Sequence, residues 1–128
     1  MEERIVKKLE LDNGLVLKIV DESKKLVGDR WVVRCTARID IPADCLKNQE
    51  NGPNPEQIRA ALGDTVCFEQ KRERNFIGEK EKDAVFDSLC SFFLDTNLSY
   101  LAHPEFGTKF ILKKYREYRS DYRRIAQS

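Results

Sequence analysis

The sequence predicts an α+β fold in which an antiparallel sheet is covered on one face by helices. The first observation is the segment 30–41, where six successive odd positions are apolar, a period of two that is typical of a strand. The second is a change to helical spacing after residue 79. The third is that most aromatic residues follow residue 65, so the helices supply much of the core. The 128 residues fit one domain, 1–128.

The sheet is predicted to have about four strands, two of which form a hairpin at 4–20. Its turn is Asn13-Gly14, because this dipeptide tolerates the positive φ angles of a tight turn. The arms place apolar residues on one face and most charged residues on the other, as expected of a ribbon with one solvated face. A polar connection at 21–29 leads to the next strand.

Two further strands and a short helix complete the predicted sheet region. The apolar face of strand 30–41 begins with Trp31, which is expected to be buried. Strand 65–77 is apolar at its ends and polar through its middle, which is typical of an exposed edge. Between these strands, an Asn-Pro pair predicts the start of a short helix near 55–62, with asparagine as the N-cap.

Two C-terminal helices are predicted to cover the sheet. The first, at 79–97, has a broad apolar face. The second follows Pro104 and carries a narrow stripe at alternating steps of four and three, a spacing used against one partner helix. This candidate interaction stripe consists of Ile111, Tyr115, Tyr118, Tyr122 and Ile125. The stripe packs either within its own domain or on a second copy, since tyrosine is common at interfaces.

Charge limits the partners that the sequence favours. Charged residues make up 35% of the chain, yet the net charge is only +1, which argues against a dedicated polyanion binder. Residues 106–128 are the exception, with seven basic and two acidic residues. Together with the outer face of strand 30–41 they define a candidate basic surface: Arg34, Arg38, Lys113, Arg116, Arg119 and Arg123. Its natural target is a nucleic-acid backbone or a phosphorylated ligand, unless interleaved acidic residues pair with the strand arginines.

Residue types that build catalytic and metal sites are scarce. The one histidine, His103, precedes a proline and is expected in the turn before the last helix. The four cysteines never show Cys-x-x-Cys spacing, so we expect reduced thiols, no metal and no cofactor. No apolar run reaches the length of a membrane span, and the charged N-terminus does not resemble a secretory signal. These features predict a cytoplasmic protein without a membrane partner.

We therefore expect a non-catalytic cytoplasmic module that works through protein–protein contact and self-associates as a homodimer. The alternative is a nucleic-acid-binding module that uses the basic C-terminal helix. The two differ in their response to salt, because phosphate binding weakens steeply as the salt concentration rises. An enzyme requires that the fold assemble a site from separated residues, for which Asp40, Asp44, Cys45 and Glu69 are available.

Overall fold

The computed structural model describes residues 4–46 and 53–127, and the side chains of 122–127 lie outside that description. The elements in these ranges are β1 (Ile5–Glu10), β2 (Val16–Asp21), β3 (Lys24–Val27), β4 (Arg30–Pro42), a 3₁₀ turn (Ala43–Cys45), α1 (Pro55–Leu62), β5 (Thr65–Gly78), α2 (Lys82–Leu101) and α3 (Phe106–Gln127). The predicted α+β class is confirmed: an antiparallel sheet carries both C-terminal helices on one face.

The long strand β4 is the centre of the sheet. β2 and β3 lie along one of its edges and β5 along the other, while β1 pairs with β2. The described part of the sheet thus has five strands, because the predicted connection at 21–29 contains β3. All four β3 residues are exposed, so no apolar alternation marks this strand. Between β2 and β3, the Ser23 hydroxyl accepts a hydrogen bond from the Arg34 backbone N–H at 3.0 Å.

The β1–β2 turn also holds the end of a helix. Gly14 has a φ of +87°, in the region that the predicted turn requires. The Asn13 side-chain amide donates to the carbonyl oxygens of Leu101, at 2.8 Å, and of His103, at 3.0 Å. Carbonyls at the end of a helix lack helical partners, so the turn satisfies groups at the end of α2. The hairpin is thereby linked to a segment 88 residues away.

The short helix α1 begins as predicted. The Asn54 side chain accepts a hydrogen bond from the Gln57 backbone N–H, and the Gln57 side chain accepts one from the Asn54 N–H, both at 2.9 Å. This reciprocal capping box satisfies two of the N–H groups that a helix start leaves without partners. The helix ends at Gly63, whose φ of +96° closes it.

One apolar core lies between the sheet and the helices. The predicted alternation of β4 is confirmed, and its buried odd positions are Val33, Cys35, Ala37, Ile39 and Ile41. Trp31, at the start of this row, is only partly buried, and the Lys82 ammonium lies 4.2 Å from the centre of its ring. The prediction that Trp31 is buried in the core is therefore wrong. It lies at the rim of the core, where α2 begins, and a cation stacks on its ring.

The two C-terminal helices cover different parts of the inner face. α2 packs on β4 and β5. α3 packs on α1 and on the 3₁₀ turn, and its Phe106 and Phe110 rings meet the Phe68 ring of β5 edge-on, with centroids 5.5 and 5.4 Å apart. Edge-to-face contacts of this kind add to the free energy gained by burial. α3 thus packs on a short helix that lies far from it in the sequence.

The boundaries of α2 and α3 differ from their predictions. The residues before Lys82 form a turn, in which the Glu81 N–H donates to the Gly78 carbonyl at 2.9 Å. α2 therefore begins at Lys82 and not at residue 79, where its start was predicted. It continues past residue 97 to Leu101, and within it the Asn97 side chain donates a hydrogen bond to the Phe93 carbonyl at 3.1 Å. α3 starts at Phe106 rather than directly after the proline.

Candidate functional site

The candidate interaction stripe divides into a buried and an exposed part. Ile111 is 0% exposed and Tyr115 is partly buried against the core. Tyr118 is 41% exposed. The side chains of Tyr122 and Ile125 lie outside the described part of the chain. The sequence allows the stripe to pack within the domain or on a second copy, and its first half packs within the domain.

The candidate basic surface falls on two separate elements. On the outer face of β4, Arg34 Nε lies 2.7 Å from a Glu73 carboxylate oxygen, and Arg38 Nη2 lies 2.8 Å from one of Glu69. The other members lie on α3: Lys113, Arg116 and Arg119, which are exposed, and Arg123, whose side chain is outside the description. The strand arginines are therefore balanced by acidic partners, as the alternative interpretation of this face requires.

A network of ion pairs covers the outer face of the sheet. At its centre, the fully buried Thr36 donates its hydroxyl to the Glu22 carboxylate. Lys71 Nζ lies 3.7 Å from carboxylate oxygens of both Glu22 and Glu69. The Thr36 hydrogen bond, assisted by Lys71, Arg38 and a further arginine, holds the pKa of Glu22 below its ordinary value of 4.5, although burial acts in the opposite direction.

Replacing Thr36 with valine is expected to lower the free energy of unfolding by about 1–2 kcal/mol at pH 7, because Glu22 loses its hydrogen bond. The folded pKa of Glu22 lies below its unfolded value, so this stabilisation is present above pH 4.5 and is lost as the pH falls through the folded pKa. Urea unfolding at several pH values checks it. Thr65→Val, at an exposed position, is the control. A difference that persists unchanged at pH 2 contradicts the linkage to Glu22.

The strand β5 has one edge in the sheet and one open edge. It pairs with β4 along its whole length, and within residues 4–46 and 53–127 no other strand pairs with it. Its side chains are mostly exposed, which confirms the predicted exposed edge strand. Main-chain N–H and C=O groups at alternate positions of such a strand point away from the sheet. These groups form a ready template for another strand.

The regular part of this open edge ends near Phe76. This residue has a φ of +58° and is 68% exposed. The register of β5 on β4 shifts here, between the partners of Trp31 and Val33, as at a β-bulge. A bulky residue with positive φ is uncommon, so the strand is strained at this point. The flat edge therefore runs from Thr65 to Arg74.

Two cysteines that are distant in the sequence meet between the sheet and α2. The sulfur atoms of Cys35, on β4, and Cys90, on α2, lie 3.1 Å apart. All four cysteines are free thiols: Cys45 is partly buried and Cys67 is exposed on β5. Spacing along the chain gives no sign of the pair. The available signal is that Cys35 belongs to the apolar row of β4, and that Cys90 lies one helical turn from Phe86 and from Phe93.

The residues that the sequence offers for an assembled catalytic site lie in two groups. Asp40 and Glu69 are on the outer face of the sheet, where each joins an ion pair. Asp44 and Cys45 are in the 3₁₀ turn after β4, and Asp44 forms an ion pair with Arg59 of α1. Asp40 also lies beside the Cys67 thiol, and burial together with this carboxylate raises the pKa of that thiol, which disfavours the nucleophilic thiolate. This arrangement offers no acid–base set among these four residues.

Among the described residues, no three or more His, Cys, Asp or Glu side chains are grouped so as to hold a metal ion. His103 is exposed in the turn before α3, and its Nδ1 accepts a hydrogen bond from the Glu105 N–H at 3.1 Å. The described helices include none with the length and apolar character needed to cross a bilayer. Comparison of the chain with protein-family models, curated proteins and solved structures found no match.

Proposed function

We propose that this chain is a non-catalytic cytoplasmic module that acts through protein–protein contact and pairs with a second copy along the open edge of β5. The observation that carries the proposal is the edge itself, regular from Thr65 to Arg74 and without a partner strand in the described ranges. Strand addition to such an edge forms main-chain hydrogen bonds along its length. The scattered spacing of the four cysteines along the chain favours a reducing compartment.

The charges of β5 favour one antiparallel register between two copies. When the two strands cross at Gln70, Glu69 of each copy lies opposite Lys71 of the other, and these cross-strand pairs extend the ion pairs that both residues already form within the monomer. Crossing at Lys71 instead places Lys71 opposite Lys71, and Glu69 opposite Glu73, which is repulsive. Of these two registers the charges favour the crossing at Gln70, so a second copy can match the alternating charges of this edge.

The inner face of β5 is compatible with the same register. Phe68 of one copy lies opposite Arg72 of the other when the strands cross at Gln70. Arg72 already stacks on an aromatic ring in the monomer, with its guanidinium 5.9 Å from the Phe93 centroid. A second aromatic neighbour extends this cation–π contact. At the crossing point, two Gln70 amides meet, and each can both donate and accept a hydrogen bond.

Self-association through the candidate interaction stripe is the competing contact. Ile111 and Tyr115 already pack within the domain, so only the distal part of the stripe is available to a partner. That part lies among basic residues of α3, which repel one another when two copies align. The edge of β5 carries no such penalty in its favoured register.

A nucleic-acid-binding module is the second candidate function. The exposure of Lys113, Arg116 and Arg119 on α3 favours it. The ion pairs of Arg34 and Arg38 on the sheet oppose it, because those charges are already balanced. Fluorescence anisotropy with labelled DNA and RNA separates the two functions. Submicromolar binding at about 0.15 M salt that weakens steeply at higher salt supports the second candidate.

Disulfide trapping tests the register of the proposed dimer. In a Cys67→Ser background, Gln70→Cys is expected to form a covalent dimer on mild oxidation, because the two Cβ atoms face each other at about 5 Å. Glu73→Cys is the matched control on the same strand, since the two copies of this position lie about 20 Å apart. Non-reducing gels give the result. A dimer formed equally by both variants, or by neither, overturns the register.

Charge reversal tests the contact without a cross-link. Lys71→Glu places like charges opposite each other twice, so the dimer dissociation constant is expected to rise roughly tenfold. Lys8→Glu makes the same change at an exposed position of β1, on the opposite edge of the sheet, and should leave the constant unchanged. Sedimentation equilibrium measures both. A dimer that is insensitive to Lys71→Glu but weakened by Tyr118→Ala places the contact on α3.

A further inference from the structure

Two sulfur atoms connect the central strand to a covering helix. Cys35 lies on the inner face of β4 and is 2% exposed. Cys90 is partly buried on the face of α2 that packs against the core. Their Sγ atoms are 3.1 Å apart. Since the sulfurs of a disulfide are about 2.05 Å apart, a relative movement of about 1 Å brings them to bonding distance.

We propose that Cys35 and Cys90 form a redox-active dithiol, which a hydroperoxide converts to an intramolecular disulfide between β4 and α2. The Cys90 thiolate attacks the terminal peroxide oxygen. The O–O bond breaks, an S–O bond forms, and water or an alcohol leaves. The Cys35 sulfur then attacks the sulfenic sulfur, so that the S–S bond forms, the S–O bond breaks and water leaves. The two thiols supply the two electrons that reduce the peroxide.

The surroundings assign different roles to the two thiols. The hydrogen bond between them lowers the pKa of Cys90 and raises that of Cys35, and burial raises the pKa of Cys35 further. The charged groups near Cys90 are Lys7, which favours its thiolate, and Asp21 and Asp87, which oppose it. Because the thiolate is the nucleophile, the more exposed Cys90 is the attacking group and Cys35 the resolving one.

The other two cysteines provide the contrast. Burial raises the pKa of the Cys45 and Cys67 thiols, which makes their thiolates less abundant. Neither has a second sulfur in a contact like that of Cys35 and Cys90. Exposure alone would make Cys67 the first thiol to react. The proximity of the pair predicts the opposite order, since a resolving thiol at contact distance captures the first oxidised intermediate.

Oxidation is expected to stabilise the fold. The disulfide connects residues 35 and 90 of one chain, so it closes a long loop and restricts the unfolded chain. Loop-closure entropy of this size predicts a midpoint of thermal unfolding raised by about 10 °C in the oxidised protein. Differential scanning calorimetry of oxidised and dithiothreitol-reduced protein measures the shift.

Thiol counting tests the proposal directly. The Cys45→Ser/Cys67→Ser variant retains only the proposed pair of cysteines. The folded variant is treated with hydrogen peroxide. After removal of peroxide, denaturation and alkylation, mass spectrometry is expected to find no alkylated cysteine, and two after reduction with dithiothreitol. The wild-type chain should lose two alkylatable thiols, with Cys35 and Cys90 in one linked peptide. Removal of the resolving thiol by Cys35→Ala should instead leave Cys90 as a sulfenic acid, detected with dimedone.

Three outcomes overturn the proposal. The first is that the Cys45→Ser/Cys67→Ser variant still carries two alkylatable thiols after peroxide. The second is that the wild-type disulfide joins Cys67 to another residue. The third is that every disulfide formed joins two chains and none lies within one chain, so that a covalent dimer appears even in dilute solution. The result with the wild-type chain stands even where a cysteine variant fails to fold. It is also independent of dimerisation, which the Gln70→Cys experiment tests separately.

Discussion

Replacing Ile111 with aspartate is expected to lower the free energy of unfolding by about 4 kcal/mol or more, enough to leave much of the protein unfolded. Ile111 is 0% exposed and belongs to the core formed by α3 and its neighbours. The substitution removes buried apolar surface and places a carboxylate in the apolar core. Urea unfolding at pH 7, followed by circular dichroism, measures the loss.

The matched control lies on the same stripe, two turns further along α3. Tyr118 is 41% exposed, so Tyr118→Asp keeps its new charge in water and is expected to cost less than about 1 kcal/mol. The two substitutions introduce the same residue at equivalent positions of the helical pattern, and the native side chains differ in burial. Similar costs for both variants would mean that the distal half of α3 packs as closely as the proximal half.

Replacing Phe93 with alanine is expected to lower the free energy of unfolding by about 3–5 kcal/mol. Phe93 is 1% exposed, where α2 packs on the sheet, and its ring also carries the Arg72 guanidinium. Truncation leaves a cavity that a packed strand and helix fill only in part, and it removes the cation–π contact. Equilibrium denaturation with urea gives the change.

The neighbouring residue provides the control for this prediction. Phe92 is 66% exposed, so Phe92→Ala is expected to change the free energy of unfolding by less than about 1 kcal/mol. The two variants have identical composition and differ only in which side of α2 loses its ring. Equal destabilisation by both would show that the packed face of α2 has been assigned wrongly.

Local rules were sufficient for much of the fold. The alternation along 30–41 identified the inner face of β4, because successive strand residues point to opposite sides whatever they pack against. Gly14 and the Asn54–Gln57 capping box were recognisable because turns and helix starts depend on a few adjacent residues. The polar middle of β5 indicated an exposed edge strand, because side chains that face water need not be apolar.

Elements whose pattern is weak or ambiguous were not recoverable in this way. β3 has four exposed residues, and it exists because β4 offers it an edge, not because its own residues alternate. Trp31 follows the alternation of the core residues. Periodicity shows which face of the sheet a residue lies on, but not how far it lies from the rim of the core. At the end of α2, the Asn13 side chain from a distant turn donates to the carbonyls of Leu101 and His103, a contact that no local pattern predicts.

The sequence by itself determined the α+β class, the inner face of β4, the exposed edge strand and the two C-terminal helices, because these follow from periodicity and adjacent residues. Tertiary structure alone decided that Ile111 is fully buried while Tyr118 is 41% exposed, that acidic residues balance Arg34 and Arg38, and that Cys35 meets Cys90. The physical reason is the same in each case. Burial, ion pairing and sulfur–sulfur contact are relations between distant segments, and a periodic pattern specifies only the face a residue presents.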